Sequence, residues 1–114
     1  MYKINYYTRP NGDQPVIDWL DRLDRKSWGV IEAKMLYLEE RGLELLGTKM
    51  LKPVRGENDL YELKGGQCRV IAYYDRRKGD NRFVLLNGFL KKRRRETGKI
   101  NEARSLLHEY LSRK

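Results

Sequence analysis

The chain has 114 residues, 36% of them charged and 39% apolar, and a formal net charge of +9 at pH 7. This length suits one domain over residues 1–114, and eight tyrosines with two tryptophans supply core material, which excludes a disordered chain. A single cysteine and a single histidine exclude an internal disulfide and a cysteine–histidine metal site. With neither a signal peptide nor a membrane-length apolar run, we expect a soluble cytoplasmic protein without a metal or other cofactor.

The positive charge lies almost wholly in the second half of the chain. Residues 1–48 hold seven Lys or Arg and eight Asp or Glu, whereas residues 49–114 hold eighteen and eight. Five consecutive cations, at residues 91–95, follow directly after an apolar stretch that is typical of a buried strand. A basic run fixed to such a strand is an oriented patch, and its commonest polyanionic partner is nucleic acid.

The first half of the chain predicts one strand and two helices. Residues 2–7 alternate large β-forming side chains with polar ones and stop at a turn signal, residues 10–12. One helix opens at Pro15, and a second, capped by Ser27, ends at Gly42. Apolar side chains recur at helical spacing in both, at Val16, Leu20, Leu23, Ile31, Met35 and Leu38.

The second half predicts three antiparallel strands and a helix. Residues 43–59 contain several breaking residues and are expected to be irregular apart from a short helical turn. Strands are expected at residues 60–64, 68–75 and 82–89, and the last, which is apolar on both faces, is expected at the centre of the sheet. An amphipathic helix follows, marked by Ile100, Ala103, Leu107, Tyr110 and Leu111. The predicted fold is a compact α+β domain: an N-terminal strand, a two-helix hairpin, a three-stranded antiparallel meander and a C-terminal helix.

The strand block contains an ordered series of short motifs. These are Tyr61-Glu62-Leu63-Lys64, then Arg69-Val70 with Tyr74, then Gly88-Phe89 with Lys91-Lys92, and finally Ile100 with Ala103. The series resembles the phage Gp49-like, HigB-type branch of the RelE/ParE toxins of bacterial toxin–antitoxin systems, over about residues 54–104. Two departures are Thr97-Gly98, where Thr-Pro is common in that branch, and Lys64, where Arg is frequent.

The resemblance implies a RelE-like domain that acts as the toxin of a type II pair. Such a toxin is a ribosome-dependent endoribonuclease that cuts messenger RNA in the A site without metal, and a HigA-type helix-turn-helix antitoxin neutralises it. The ParE side of the superfamily inhibits DNA gyrase with a similar fold, so fold does not decide the target. A gyrase inhibitor, a non-catalytic phage-derived nucleic-acid-binding protein and a structural phage assembly factor are the alternatives.

RNA cleavage without metal uses the ribose 2′-hydroxyl as nucleophile and needs a base, charge stabilisation at the phosphate and an acid. Strand alternation predicts that Glu62, Lys64, Arg69 and Tyr73 share one face of the sheet. Arg69 is expected to hold the scissile phosphate, because its planar fork stays protonated. Lys64 and Glu62 are the two candidates for the base, and Tyr73 is the candidate acid.

The end of the last strand supplies the remaining candidates. Lys91 or Lys92 is expected to stabilise the transition-state charge. Contacts with RNA or the ribosome are expected from Lys92, Arg93, Arg94, Arg95 and Phe89. Structural alternatives remain open: the arginine run as a solvated turn, Phe89 as a core residue and Arg69 as the ion-pair partner of Glu62.

Overall fold

The computed structural model describes residues 1–92 and 97–113, and these residues form five strands and three α-helices. The strands are β1 (Lys3–Tyr6), β2 (Leu51–Pro53), β3 (Leu60–Gly65), β4 (Cys68–Asp75) and β5 (Arg82–Leu90). The helices are α1 (Pro15–Asp21), α2 (Arg25–Arg41) and α3 (Thr97–Ser112), with short 3-10 turns at Gly42–Leu45 and Arg76–Lys78. No helix among the described residues is long and apolar enough to cross a membrane.

The strands form one mixed sheet in the order β1-β5-β4-β3-β2. β1 runs parallel to β5, and the other neighbouring pairs are antiparallel. The α+β prediction is therefore confirmed, but the expected position of β5 at the centre is wrong. β4 is the middle strand, because β1 covers one edge of the meander and β2 extends the other.

The segment expected to be irregular contains a strand. β2 pairs with β3, with Leu51 opposite Leu63 and Lys52 opposite Glu62. Only three residues long and ending in a proline, β2 has no readable alternation, so its pairing depends on the neighbouring strand rather than on its own sequence. It brings a stretch with cations at Lys49, Lys52 and Arg55 to the edge of the sheet.

Helices cover both faces of the sheet. The α1–α2 hairpin packs on Tyr61, Leu63, Val70, Ala72 and Leu85, while α3 packs on Leu60, Ile71, Val84, Leu86 and Phe89. The cap of α2 is Asp24 rather than Ser27, because the Asp24 carboxylate accepts a 2.7 Å hydrogen bond from the Ser27 backbone N–H. The face that carries α3 is the one that holds the predicted site residues.

A β-bulge in β5 sets the direction of its last residues. Ala72 pairs with Leu85 but Ile71 pairs with Asn87, so Leu86 is an extra residue in the ladder. After the bulge, Gly88 faces α1, and a Cβ atom on it would lie 2.2 Å from a ring carbon of Trp19. Phe89 consequently faces α3, two residues before Lys91.

Candidate nucleic-acid interface

Two rows of paired residues cross the α3 side of the sheet near the ends of its strands. In the first row, Arg69 of β4 pairs with Phe89 of β5 and with Lys64 of β3. In the second row, Glu62 of β3 pairs with Ile71 of β4 and with Lys52 of β2. Residues directly opposite each other have Cβ atoms about 5 Å apart, so the rows form one continuous surface.

A groove of about 520 Å³ opens on this surface between the sheet edge and the first turns of α3. Its lining includes Glu62 and Phe89 from the sheet and Thr97 and Ile100 from α3. Cations reach it from separate parts of the chain, namely Lys52, Arg55, Lys91 and Arg104. A concave surface with converging positive charge focuses electrostatic potential on anionic ligands.

Arg69 lies at the floor of this region rather than on an open face. It is only 6% exposed, and its Nη1 donates to the backbone carbonyls of Gly66 at 2.7 Å and Cys68 at 2.9 Å. Its Nε lies 3.7 Å from Oε1 of Glu62. The guanidinium therefore ties the β3–β4 turn to Glu62, which is the structural alternative left open for this residue.

Glu62 is a buried carboxylate flanked by two cations. Its Oε1 lies 3.4 Å from Nζ of Lys52 and 3.7 Å from Nε of Arg69, and the residue is 9% exposed. Neither contact is a hydrogen bond: Oε1 of Glu62 and Nε of Arg69 have no hydrogen-bond partner among the described residues. Both atoms are buried beneath the groove, so the charges of Glu62, Arg69 and Lys52 compensate one another there without a hydrogen bond.

The remaining candidates at the strand ends are placed as follows. Lys64 is exposed beside the groove, and Lys91 is half-buried in its wall, fixed by a 2.7 Å hydrogen bond from its N–H to the Gln67 carbonyl. Lys92 is exposed, and Phe89 is 4% exposed in the core under α3 with one side toward the groove. The predicted contacts of Arg93, Arg94 and Arg95 fall outside the described residues.

Tyr73 is separated from the groove. It lies four residues along β4 from Arg69, a distance of about 13 Å, under the C-terminal half of α3. Its ring centroid is 6.1 Å from that of Tyr110. Burial raises the pKa of Tyr73, and the nearby Asp75 carboxylate raises that pKa further. The structure therefore brings together Glu62, Lys64, Arg69 and Lys91 but leaves Tyr73 elsewhere.

Three cations of the groove were missed by the sequence reasoning. Lys52 and Arg55 belong to the segment that was expected to be irregular, and their three-residue spacing around Pro53 carried no strand signal. Arg104 comes directly after Ala103 of the apolar stripe of α3. Charged residues are common next to such a stripe, so its sequence position did not mark it as a site residue. Its Nη2 donates to the Arg55 carbonyl at 2.8 Å and its Nε lies 3.3 Å from Glu57, which joins α3 to the β2–β3 connection.

Among the described residues, the lining of the groove contains four cations and one carboxylate but no histidine. His108 is exposed on α3, outside the lining. Within residues 1–92 and 97–113, no three His, Cys, Asp or Glu side chains lie close enough together to hold a metal ion. The chemistry that these described residues support is acid–base and electrostatic.

The architecture is that of the RelE proteins. The RelE–RelB complex from the archaeon Pyrococcus horikoshii aligns with a TM-score of 0.60 at 19% identity, covering 82% of this chain and 98% of that one. The RelBE toxin–antitoxin complex of E. coli gives 0.60 at 14% identity, covering 82% and 100%. The isolated E. coli RelE toxin gives 0.56 at 14% identity, covering 92% and 99%. These likenesses establish a RelE-like fold.

The family assignment is more specific than the fold. The family described as phage derived protein Gp49-like (DUF891) matches residues 18–106, which is most of the chain. The chain belongs to this Gp49-like family, as the strand motifs predicted. No curated protein matches the sequence closely enough to count as a relative.

Proposed function

We propose that this chain is the toxin of a type II toxin–antitoxin pair and that it cleaves messenger RNA in the ribosomal A site. The observation that carries the proposal is the groove, whose lining brings Lys52, Lys91 and Arg104 from separate parts of the chain to the surface that holds the buried carboxylate of Glu62. Positive charge gathered at one carboxylate suits an RNA phosphate and a proton acceptor beside it. Membership of the Gp49-like family supports the same assignment.

An antitoxin partner follows from the same proposal. Two of the structural neighbours were solved as complexes of RelE with RelB, one of them described as a toxin–antitoxin complex. We expect a small helix-turn-helix protein of the HigA type to bind this chain and keep it from the ribosome. A short reading frame of that type next to this gene would support the pairing.

The proposed reaction is attack of the ribose 2′-oxygen on the adjacent phosphorus. The new oxygen–phosphorus bond gives a 2′,3′-cyclic phosphate, and the bond to the 5′-oxygen breaks. Glu62 accepts the 2′-hydroxyl proton, since it is the one carboxylate among the described residues that line the groove. Lys64 and Lys52 stabilise the charge on the phosphoryl oxygens, and Lys91 protonates the leaving 5′-oxygen. Arg69 is a positioning residue in this scheme, because it fixes Glu62 and the β3–β4 turn.

Dependence on the ribosome has a physical reason. Carboxylates as a class are weak bases, so base catalysis alone supplies a limited part of the rate. Correct alignment of the 2′-oxygen with the phosphorus supplies the larger part, and a ribosome holds messenger RNA in a fixed path. We therefore expect slow or no cleavage of free RNA.

The test is a cell-free translation reaction with a defined message, in which RNA 5′ ends are mapped with and without the protein. A parallel reaction lacks ribosomes. We expect cuts in register with the reading frame only where ribosomes translate. Replacing Lys64 and Lys91 with Gln should reduce the cleavage rate by about a hundredfold or more.

The matched control replaces Lys26 with Gln, because Lys26 is an exposed lysine on α2, on the other face of the sheet. Its cleavage rate should stay within twofold of that of the unchanged protein. Intact message with unimpaired translation would overturn the proposal, and a DNA supercoiling assay would then test gyrase inhibition. Equal cleavage by the K64Q/K91Q variant would remove these lysines from the site.

A further inference from the structure

A second basic pocket lies on the α3 side of the sheet, at the opposite end of α3 from the groove. It has a volume of about 290 Å³ and is lined by Thr8, Arg77, Lys78, Arg82, Tyr110 and Arg113, among others. Arg77 and Lys78 follow β4 directly, so they lie about 20 Å or more from Arg69 along that strand. The mechanism proposed above uses none of these residues.

A buried carboxylate holds the first arginine of this pocket in place. Asp75 is fully buried, and it accepts hydrogen bonds from Nε of Arg77 at 2.9 Å and from Nη2 of Arg77 at 3.0 Å. The hydroxyl of Tyr110 also donates to Asp75, at 2.5 Å, and the Tyr110 ring lies 5.4 Å from the Arg77 guanidinium. Arg77 holds the pKa of Asp75 at about 2, so the carboxylate stays ionised. Arg77 is thereby fixed before any ligand arrives, and Nη1 is its one nitrogen outside these two bonds.

The other cations of the pocket are Arg82, Lys78 and Arg113, and they differ in their partners. Arg82 donates from Nη2 to Asp80 at 2.7 Å, but its buried Nε has no hydrogen-bond partner among the described residues. Lys78 is exposed and has no ion pair within residues 1–92 and 97–113. Arg113 donates to the Thr8 carbonyl and lies over the Tyr7 ring, 5.7 Å from its centroid.

We propose that this second basic pocket binds a backbone phosphate of an RNA strand, separately from the phosphate that enters the groove. Guanidinium groups fixed by buried or partly buried carboxylates keep their remaining donors in a set geometry, which suits a tetrahedral oxyanion. Lys78 and Arg113 add the charge that makes such binding favourable through counterion release. The proposal deepens the proposed function, since it assumes that RNA is the ligand and gives the protein a second point of attachment to it.

The experiment measures binding of a fluorescent single-stranded RNA by anisotropy over a series of salt concentrations, without ribosomes. It compares the unchanged chain with the double variant Lys78→Gln, Arg113→Gln. The matched control is Arg25→Gln, Lys26→Gln, which removes one arginine and one lysine from the exposed start of α2. All three proteins should unfold at similar temperatures, because the four substituted side chains are exposed.

We expect the double variant to lose about 0.7 from the slope of log K against log salt, since the pocket holds one phosphate and each single-strand phosphate contact contributes about 0.7. The control should keep the slope of the unchanged chain. Equal slopes for the double variant and its control would overturn the second site, even if the translation assay shows cleavage. A reduced slope in the variant together with intact message in translation would leave the second site standing and overturn the proposed nuclease function.

A second measurement identifies the anion. NMR signals of the Arg77 and Arg82 Nε–H groups are followed during titration with inorganic phosphate, with the same RNA and with a hexaglutamate peptide. Shifts with phosphate and RNA, but not with the peptide, are expected. Shifts with the peptide alone would overturn the assignment of RNA and identify the pocket as a contact for acidic protein segments.

Discussion

Two cations that face each other across β3 and β4 have different environments. Lys64 pairs directly with Arg69 in the ladder, yet Lys64 is exposed while Arg69 is 6% exposed and bonded to backbone carbonyls. The difference arises because the guanidinium of Arg69 has several donors, so that it bonds to the Gly66 and Cys68 carbonyls while its Nε faces Glu62. In our scheme Lys64 contacts the substrate, whereas Arg69 maintains the shape of the floor.

This contrast predicts that substitution of Arg69 mainly lowers the stability of the fold, whereas substitution of Lys64 mainly lowers the rate of cleavage. Arg69→Gln should lower the free energy of unfolding by about 3 kcal/mol, because it leaves Glu62 and two turn carbonyls without a buried partner. Lys64→Gln should change that free energy by less than about 0.5 kcal/mol while it slows cleavage. Urea unfolding and the translation assay measure the two effects. A fully stable Arg69→Gln variant would mean that the ion pair with Glu62 contributes nothing to the fold.

For individual residues, sequence alternation predicted which face of the sheet a strand side chain lies on, but not how deeply that side chain is buried. Glu62, Lys64 and Arg69 do share one side of the sheet, as their spacing indicated. That Arg69 turns back toward the carbonyls of its own hairpin depends on the turn conformation, which no local pattern encodes. Phe89, for which the alternation predicted no face, lies on the α3 side because of a bulge in β5 that the sequence pattern does not indicate.

The contact between α1 and β5 is set by one small residue. Gly88 leaves room for the Trp19 ring, which would meet an added Cβ at 2.2 Å. Because Trp19 is 7% exposed in the core of the helical hairpin, it has little freedom to move away. This close approach holds the start of the hairpin against the same strand whose end carries Lys91.

Gly88→Ala should therefore lower the free energy of unfolding by about 2 kcal/mol or more, through overpacking against Trp19. The comparison variant is Gly98→Ala in α3, where a Cβ meets no described atom within 4 Å. That substitution should raise the free energy of unfolding by up to about 1 kcal/mol, because alanine favours a helix. Thermal and urea unfolding measure both. Equal stability of the two variants would show that Trp19 can repack at no cost.

Elements with strong periodicity were predictable, and those whose position depends on distant partners were not. α2 and α3 followed from their apolar spacing, and the three meander strands followed from their alternation. β2 was missed because its three residues form a strand only beside β3. The central place of β4 depends on β1 crossing to β5, a long-range pairing that a chain-order reading does not contain.

At the scale of the whole molecule, side-chain hydrogen bonds join the N-terminal segment to the last turns of α3. Glu109 near the C-terminus accepts hydrogen bonds from the Tyr7 hydroxyl at 2.7 Å and from Arg9 at 3.1 Å. One residue further, Tyr110 bonds to Asp75 at the end of β4. The last turns of α3 are thus fixed to the N-terminal segment and to the middle strand together.

This network predicts a loss of stability in acid. The pKa of Asp75 is lowered from 3.8 to about 2 in the folded state, so its contribution is fully present above pH 4 and is lost as the pH falls through 2. The contribution is about 2 kcal/mol, at 1.36 kcal/mol for each pKa unit. Urea unfolding should show the difference between the unchanged chain and Asp75→Asn shrinking by that amount between pH 5 and pH 2. A difference independent of pH would mean that the Asp75 carboxylate is not stabilised by Arg77.

The parallel pairing of β1 with β5 also determines how late in its synthesis on the ribosome the chain can complete its sheet. A ribosome makes the N-terminal end first, so β1 has no strand to pair with until residues 82–85 have been synthesised. α3, which forms one wall of the groove, comes later still. During its own synthesis the nascent chain therefore carries an unfinished sheet and half a groove. If the protein attacks translating ribosomes, the ribosome that makes it cannot be attacked by that same chain before α3 has been synthesised.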